Sequence, residues 1–136
     1  MDNLIYVLEH ECSNIHGLEL NPLDVIDTQK SLIENKIIPI PNSFINFLEK
    51  FNGINYHGGE IFGIRPPKRL AGDILEVNLK QERLLKSNYL FLGVDEFDYL
   101  VYNKEKNLYQ IIDKVDLEVL EEYADVVKAI SYILKV

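Results

Sequence analysis

The chain has no tryptophan, one cysteine, one methionine and a shortage of cations, with 14 Lys and Arg against 22 Asp and Glu. The single cysteine, Cys12, excludes an internal disulfide and any thiolate metal cluster. No apolar run approaches the roughly 20 residues that a membrane-spanning helix requires. The opening segment MDNLIYVLEHE has no basic region and is interrupted by Glu9, His10 and Glu11, so it does not read as a secretory signal. These absences point to a soluble, cytoplasmic protein. The cation shortage, a net charge of −8, is uneven. Residues 65–86 carry Arg65, Lys68, Arg69, Lys80, Arg83 and Lys86 against Asp73, Glu76 and Glu82, so the acidic excess lies elsewhere. Such a chain repels nucleic acid over most of its surface and attracts basic partners.

What is present is enough for one core. At 136 residues the chain has the size of a single domain, and 47% hydrophobic content excludes a disordered class. Residues 3–12 read as a short helix with Leu4, Val7 and Leu8 on one side. In NPLDVIDTQKSLIENK, Asn21 is a natural N-cap, Pro22 suits the first helical position and Asp24 places negative charge in the first turn. Val25, Ile26, Gln29, Leu32 and Ile33 follow with helical spacing. Pro39 and Pro41 then force extended backbone. Phe44, Phe47, Leu48 and Phe51 form one apolar stripe at i, i+3, i+4 and i+7, the clearest helix in the chain, and Asn52-Gly53 supplies its stop. Residues 73–86 fit a helix loosely.

From residue 89 the period changes to alternation. YLFLGV, FDYLVYN and LYQIID read as three strands joined by short connections, hence antiparallel hairpins. Tyr99, Val101 and Asn103 point to one face, Leu100 and Tyr102 to the other, so the middle strand is expected to be covered on both sides. VDLEVLEEYA reads as an edge strand or a loop, and ADVVKAISYILKV as a closing helix. The order describes a single α+β domain: N-terminal helices over about 3–52, a mainly antiparallel or mixed sheet over about 54–123, and a helix over about 124–135.

The residues of chemistry do not assemble into a motif. His57-Gly58-Gly59-Glu60 places an imidazole, a bendable backbone and a carboxylate side by side, and a small hydrolase using His57 and Glu60 is the enzymatic alternative. None of the serines lies in a G-x-S-x-G setting. Cys12, with His10 and His16 nearby in sequence, reads more simply as a small buried hydrophobe. His10, His16 and His57 with Glu9, Glu11 and Glu60 match no metal signature. HGGE follows a helix and precedes an apolar run, so it lacks the helix N-terminus that a phosphate cradle uses. The simplest reading of HGGE is the turn that joins a helix to a strand beginning at Ile61.

The motif set IPIPNSFINFLEKFNG, IFGI, YLFLGVDEFDYLVYN and VVKAISYIL resembles the SUKH superfamily, the Smi/Knr-like group, over residues 24–135. Pro41, Phe44, Phe47, Leu48, Asn52, Gly53, Gly63, Gly93 and Asp98 fall where that pattern expects them. Phe97 departs from it, standing where many members have Gly, as does Asn103 in place of Asp, and the N-terminal Trp common in the family is missing. The resemblance implies an α+β fold without catalytic activity or cofactor. It implies either an immunity protein that neutralises a cognate bacterial toxin by binding it, or a regulatory interaction scaffold. An acidic inhibitor suits a basic, nuclease-type toxin. The expected partner-binding residues are Asp95, Glu96, Asp98, Asp113, Asp116, Glu118, Glu121, Glu122 and Tyr123. Tyr99 and Tyr102 are further aromatic candidates, although sheet packing is the simpler role for both.

Overall fold

The computed structural model describes residues 2–11, 20–81 and 88–136; Cys12, His16, Arg83 and Lys86 lie outside them. The chain forms α1 (Asp2–Glu11), α2 (Pro22–Glu34), α3 (Asn42–Lys50), β1 (Ile54–Tyr56), β2 (Gly59–Ile61) and α4 (Ile74–Gln81). It continues with β3 (Tyr89–Val94), β4 (Asp98–Asn103), β5 (Leu108–Asp113), β6 (Val119–Tyr123) and α5 (Val126–Leu134). The six strands lie side by side in chain order, each antiparallel to the next. The domain is therefore α+β, with α4 inserted between the β1–β2 hairpin and the remaining strands.

Local chemistry explains the helices. Asn21 Oδ1 accepts the Leu23 amide at 2.9 Å, which caps α2 just before Pro22. In α3 the expected stripe is buried, with Phe44 and Leu48 fully enclosed. Asp125 is the N-cap of α5, its Oδ1 accepting the Val127 amide at 2.8 Å. One face of α5 (Val126, Ala129, Ile130, Ile133 and Leu134) is buried, and the helix packs across strands β2 to β6. On β4, both Leu100 and Val101 are fully buried, so the sheet is covered on both faces, as alternation on the two sides requires.

Three side-chain amides act as substitute strand neighbours. Gln29 accepts the Ile40 amide at 2.6 Å and donates to its carbonyl at 3.0 Å. Asn52 does the same for Ile64, at 2.7 and 2.8 Å. Asn78 accepts from the Phe91 amide at 2.7 Å and donates to its carbonyl at 3.0 Å, beside the irregularity in β3 between Phe91 and Gly93. Each satisfies a backbone donor and acceptor that the sheet leaves unpaired.

Three sequence expectations change. In α2 the inward stripe is Val25, Thr28, Gln29 and Leu32, while Ile26 and Ile33 are 64% and 59% exposed. The doubly bonded Gln29 fixes the helix rotation, and these isoleucines lie about 100° round the helix from the centre of the buried stripe. The chain leaves α3 through extended Phe51, and only Gly53 takes positive φ, at 101°. Finally, His57-Gly58 does not join a helix to a strand. It is the two-residue loop of the β1–β2 hairpin, with φ of 53° and 78°, the geometry of a type I′ turn. Gly59 and Glu60 already belong to β2, which begins before Ile61.

Candidate functional site

The enzymatic candidates point apart. His57 Nδ1 donates to the Leu134 carbonyl of α5 at 3.3 Å, and its ring lies tilted by 32° against that of Tyr56. Gly59 sits against the same helix, where a Cβ would overlap the Ile133 carbonyl oxygen. Glu60, one position along the strand, points to the opposite face of the sheet and accepts the Gly72 amide at 2.7 Å. Glu60 borders a cleft of about 650 Å³ with Arg65, Lys68, Arg69 and Asp73. Three of the charged groups there, Glu60, Arg65 and Asp73, have structural partners: Arg65 bonds Asp24 at 2.8 Å and Asp27 at 3.2 Å, and Asp73 accepts the Arg65 amide at 2.7 Å. Among the described residues no group of three or more His, Cys, Asp or Glu is placed to hold a metal ion. Among them, too, no helix is long and apolar enough to cross a membrane.

The acidic candidates converge on two adjoining turns. In the β3–β4 turn, Asp95 Oδ1 accepts the amides of Phe97 at 2.9 Å and Asp98 at 2.7 Å. In the β5–β6 connection, Asp113 Oδ1 accepts the amides of Val115 at 2.7 Å and Asp116 at 3.2 Å, and Asp116 accepts that of Glu118 at 2.9 Å. The Lys114 amide donates to the Phe97 carbonyl at 3.0 Å, which joins the two turns. Short carboxylate side chains that cap their own turns explain why aspartate, rather than glutamate, occupies positions 95, 113 and 116.

Register then decides which charges meet. Asp98 pairs with Asp113 across β4 and β5, and Glu121 lies opposite Ile111 on the α5 side of the sheet. Lys135, just past α5, reaches Asp95 Oδ2 at 3.6 Å. Burial, followed by the Asp95 and Asp113 carboxylates, raises the Asp98 carboxyl above its ordinary pKa, while Lys135 and Lys114 oppose the rise. The Tyr132 hydroxyl is raised by burial and then by Asp98, Glu121 and Asp95, which places it within the same negative field. Tyr123, also raised by burial and then by Glu121, lines a shallow pocket of about 340 Å³ with Tyr132, Val127 and Ser131.

Glu122 is separated from this group. It lies opposite Gln110 on the other sheet face, where Gln110 Nε2 donates to it at 2.5 Å and Lys106 approaches at 3.5 Å. Tyr99 packs edge-on against Phe91 and Tyr102 against Tyr109, so both have the sheet-packing role. The apolar members of the surface escaped sequence reasoning. Phe97 is 68% exposed at the hairpin tip, Val115 is 93% exposed beside it, and Val119 and Leu120 are exposed on β6. The available signals were Phe97 in a turn that favours small residues and the apolar–acidic mixture of VDLEVLEE. Together the residues make an acidic surface studded with apolar side chains.

The Asp98 environment has a measurable consequence. Its folded-state pKa lies above the unfolded value, so ionised Asp98 weakens the fold at neutral pH, and that penalty disappears as pH falls through the raised pKa. Asp98→Asn is therefore expected to unfold at a higher temperature than the parent at pH 7, with the gap closing on acidification. Thermal melts between pH 4 and 7 check this. A variant less stable at pH 7 would show that Lys114 and Lys135 more than compensate the burial.

In comparison with known proteins, the chain matches no family model, and no curated protein matches it significantly.

Proposed function

We propose that this chain is a non-enzymatic, cytoplasmic immunity protein that binds and neutralises a cognate bacterial toxin, as the SUKH-like motifs imply. The observation that carries the reading is the surface where exposed Glu96, Asp116, Glu118 and Glu121, with half-buried Asp113 and the buried Asp95 and Asp98 behind them, accompany exposed Phe97, Val115 and Leu120. Charge of one sign steers a basic partner into contact, and apolar side chains within it supply burial once contact is made. The partner class favoured by that field is a basic protein domain, such as one that acts on nucleic acid.

The test is co-expression with the toxin-like product of the adjacent reading frame. Growth should be rescued, and the purified pair should form a complex that weakens as salt rises. A pair that neither associates nor protects cells overturns the reading. Within the complex, Glu121→Lys should slow association at low salt by roughly tenfold. The same reversal at Glu122, on the opposite sheet face and beside Lys106, should have a smaller effect. Equal effects would remove the α5 side of β6 from the interface.

A further inference from the structure

The sheet has two ends, and they are unequal. β1 has three residues and turns at once into β2, whereas β6 has five and bonds only to β5 among the described strands. Residues 119–122 are all exposed. An open edge carries alternate N–H and C=O groups that can pair with another chain, and proteins commonly blunt such edges with lysine or proline. β6, with sequence VLEEY, contains neither. It carries Glu121 and Glu122, one toward each sheet face, with Glu118 just before them. Two copies pairing along this edge would bring glutamates against glutamates, which is unfavourable across strands, whereas a strand bearing Lys or Arg would be favoured. The edge is thus protected against self-association and remains open to a chain of opposite charge.

The surroundings define the strand that would fit. A register shift between Ile111 and Ile112 leaves Leu120 without a partner in β5, so the regular edge runs from Glu121 to Tyr123. The pocket of about 340 Å³ between Tyr123 of β6 and Tyr132 of α5 lies on the face that Glu121 shares. Side chains two residues apart on an added strand would project to that face about 7 Å from one another. One could fill the pocket while the next met Glu121.

We infer that β6 receives an extended segment of a basic partner as a seventh strand, with an apolar side chain in the Tyr123–Tyr132 pocket and a Lys or Arg two residues away against Glu121. This rests on the reading of the partner as a basic protein and specifies how such a partner is held. Recognition then combines main-chain hydrogen bonds, which any sequence can make, with one apolar and one cationic site that select the sequence.

A capped octapeptide repeating Val-Thr-Lys-Thr, which puts valine and lysine two residues apart on one strand face, and the same peptide N-methylated at every residue, provide the test. The unmethylated peptide should bind at low salt, protect β6 amides from hydrogen exchange, and lose affinity roughly tenfold with Glu121→Lys. N-methylation preserves charge and side chains but removes the donors, so binding should weaken at least tenfold. Equal binding by the two peptides, or protection appearing away from β6, overturns strand addition. Concentration-dependent dimerisation of the protein through β6 also overturns it, because the edge would then accept a second copy. The same exchange measurement on the toxin complex separates the two proposals. A tight, protective complex without β6 protection defeats the strand inference alone. Peptide addition at β6 without any toxin complex defeats the immunity reading alone.

Discussion

Replacing Asn52 by alanine is expected to lower the stability of the fold by about 3–4 kcal/mol, a large part of the 5–15 kcal/mol typical of a domain. The side chain is buried and makes both hydrogen bonds of the Ile64 backbone, whose residue is itself buried. Alanine leaves a buried N–H and a buried C=O without partners, each at a cost of about 1–3 kcal/mol. Urea denaturation should show the midpoint falling by roughly 2 M for a slope near 2 kcal/mol/M. Asn52→Asp adds a finer test. The carboxylate can still accept from the Ile64 amide but faces the Ile64 carbonyl with no donor. Burial and that carbonyl both favour the protonated form, so the variant should regain stability relative to the parent as pH falls. A loss below 1 kcal/mol in Asn52→Ala would show that water readily replaces the amide.

Phe44→Ala should destabilise by a similar amount, about 3–5 kcal/mol, through a different mechanism. Phe44 is fully buried in the first turns of α3, and its neighbour Ser43 bonds the Tyr109 hydroxyl of β5 at 2.5 Å. Deleting the ring removes apolar burial and opens a cavity between α3 and the rest of the core, which close packing cannot fully collapse. Phe44→Leu retains most of the volume and should recover more than half of the loss, as measured by the same denaturation curves. Equal losses for the two variants would mean that the position responds to ring shape rather than to volume. Neither residue belongs to the acidic surface, so partner affinity of the folded fraction should be unchanged in both.

Much of the fold was legible because its signals are local. The α3 stripe, the Asn21-Pro22 start of α2 and the Asp125 start of α5 depend on residues within one or two turns of one another. Strands β3 to β5 each provide six residues of pattern, enough to reveal alternation. β1 and β2 have three residues each and fall below that threshold, so their hairpin was hidden inside the HGGE stretch. The exposed faces of Ile26 and Ile33 were misassigned for a related reason. Helical spacing identifies an amphipathic segment, but a bond to Ile40, eleven residues from Gln29, decides its rotation.

The acidic site was legible by charge and not by geometry. Asp95, Asp98 and Asp113 read from sequence as contact residues; in the structure Asp95 and Asp98 are buried, Asp95 and Asp113 cap their own turns, and Asp98 pairs with Asp113 across β4 and β5. Glu121 and Glu122 look equivalent in the chain, yet a strand sends neighbours to opposite faces, and only Glu121 shares the field around Tyr132. The sequence by itself determined the helices, the three long strands, the α+β class and the excess of negative charge, since each follows from composition or from contacts near in the chain. Only the tertiary structure decided that β6 is the open edge, which glutamate faces α5, and that Asn52 holds Ile64. Those depend on strand order and register, and both are set by pairing between residues far apart in the chain.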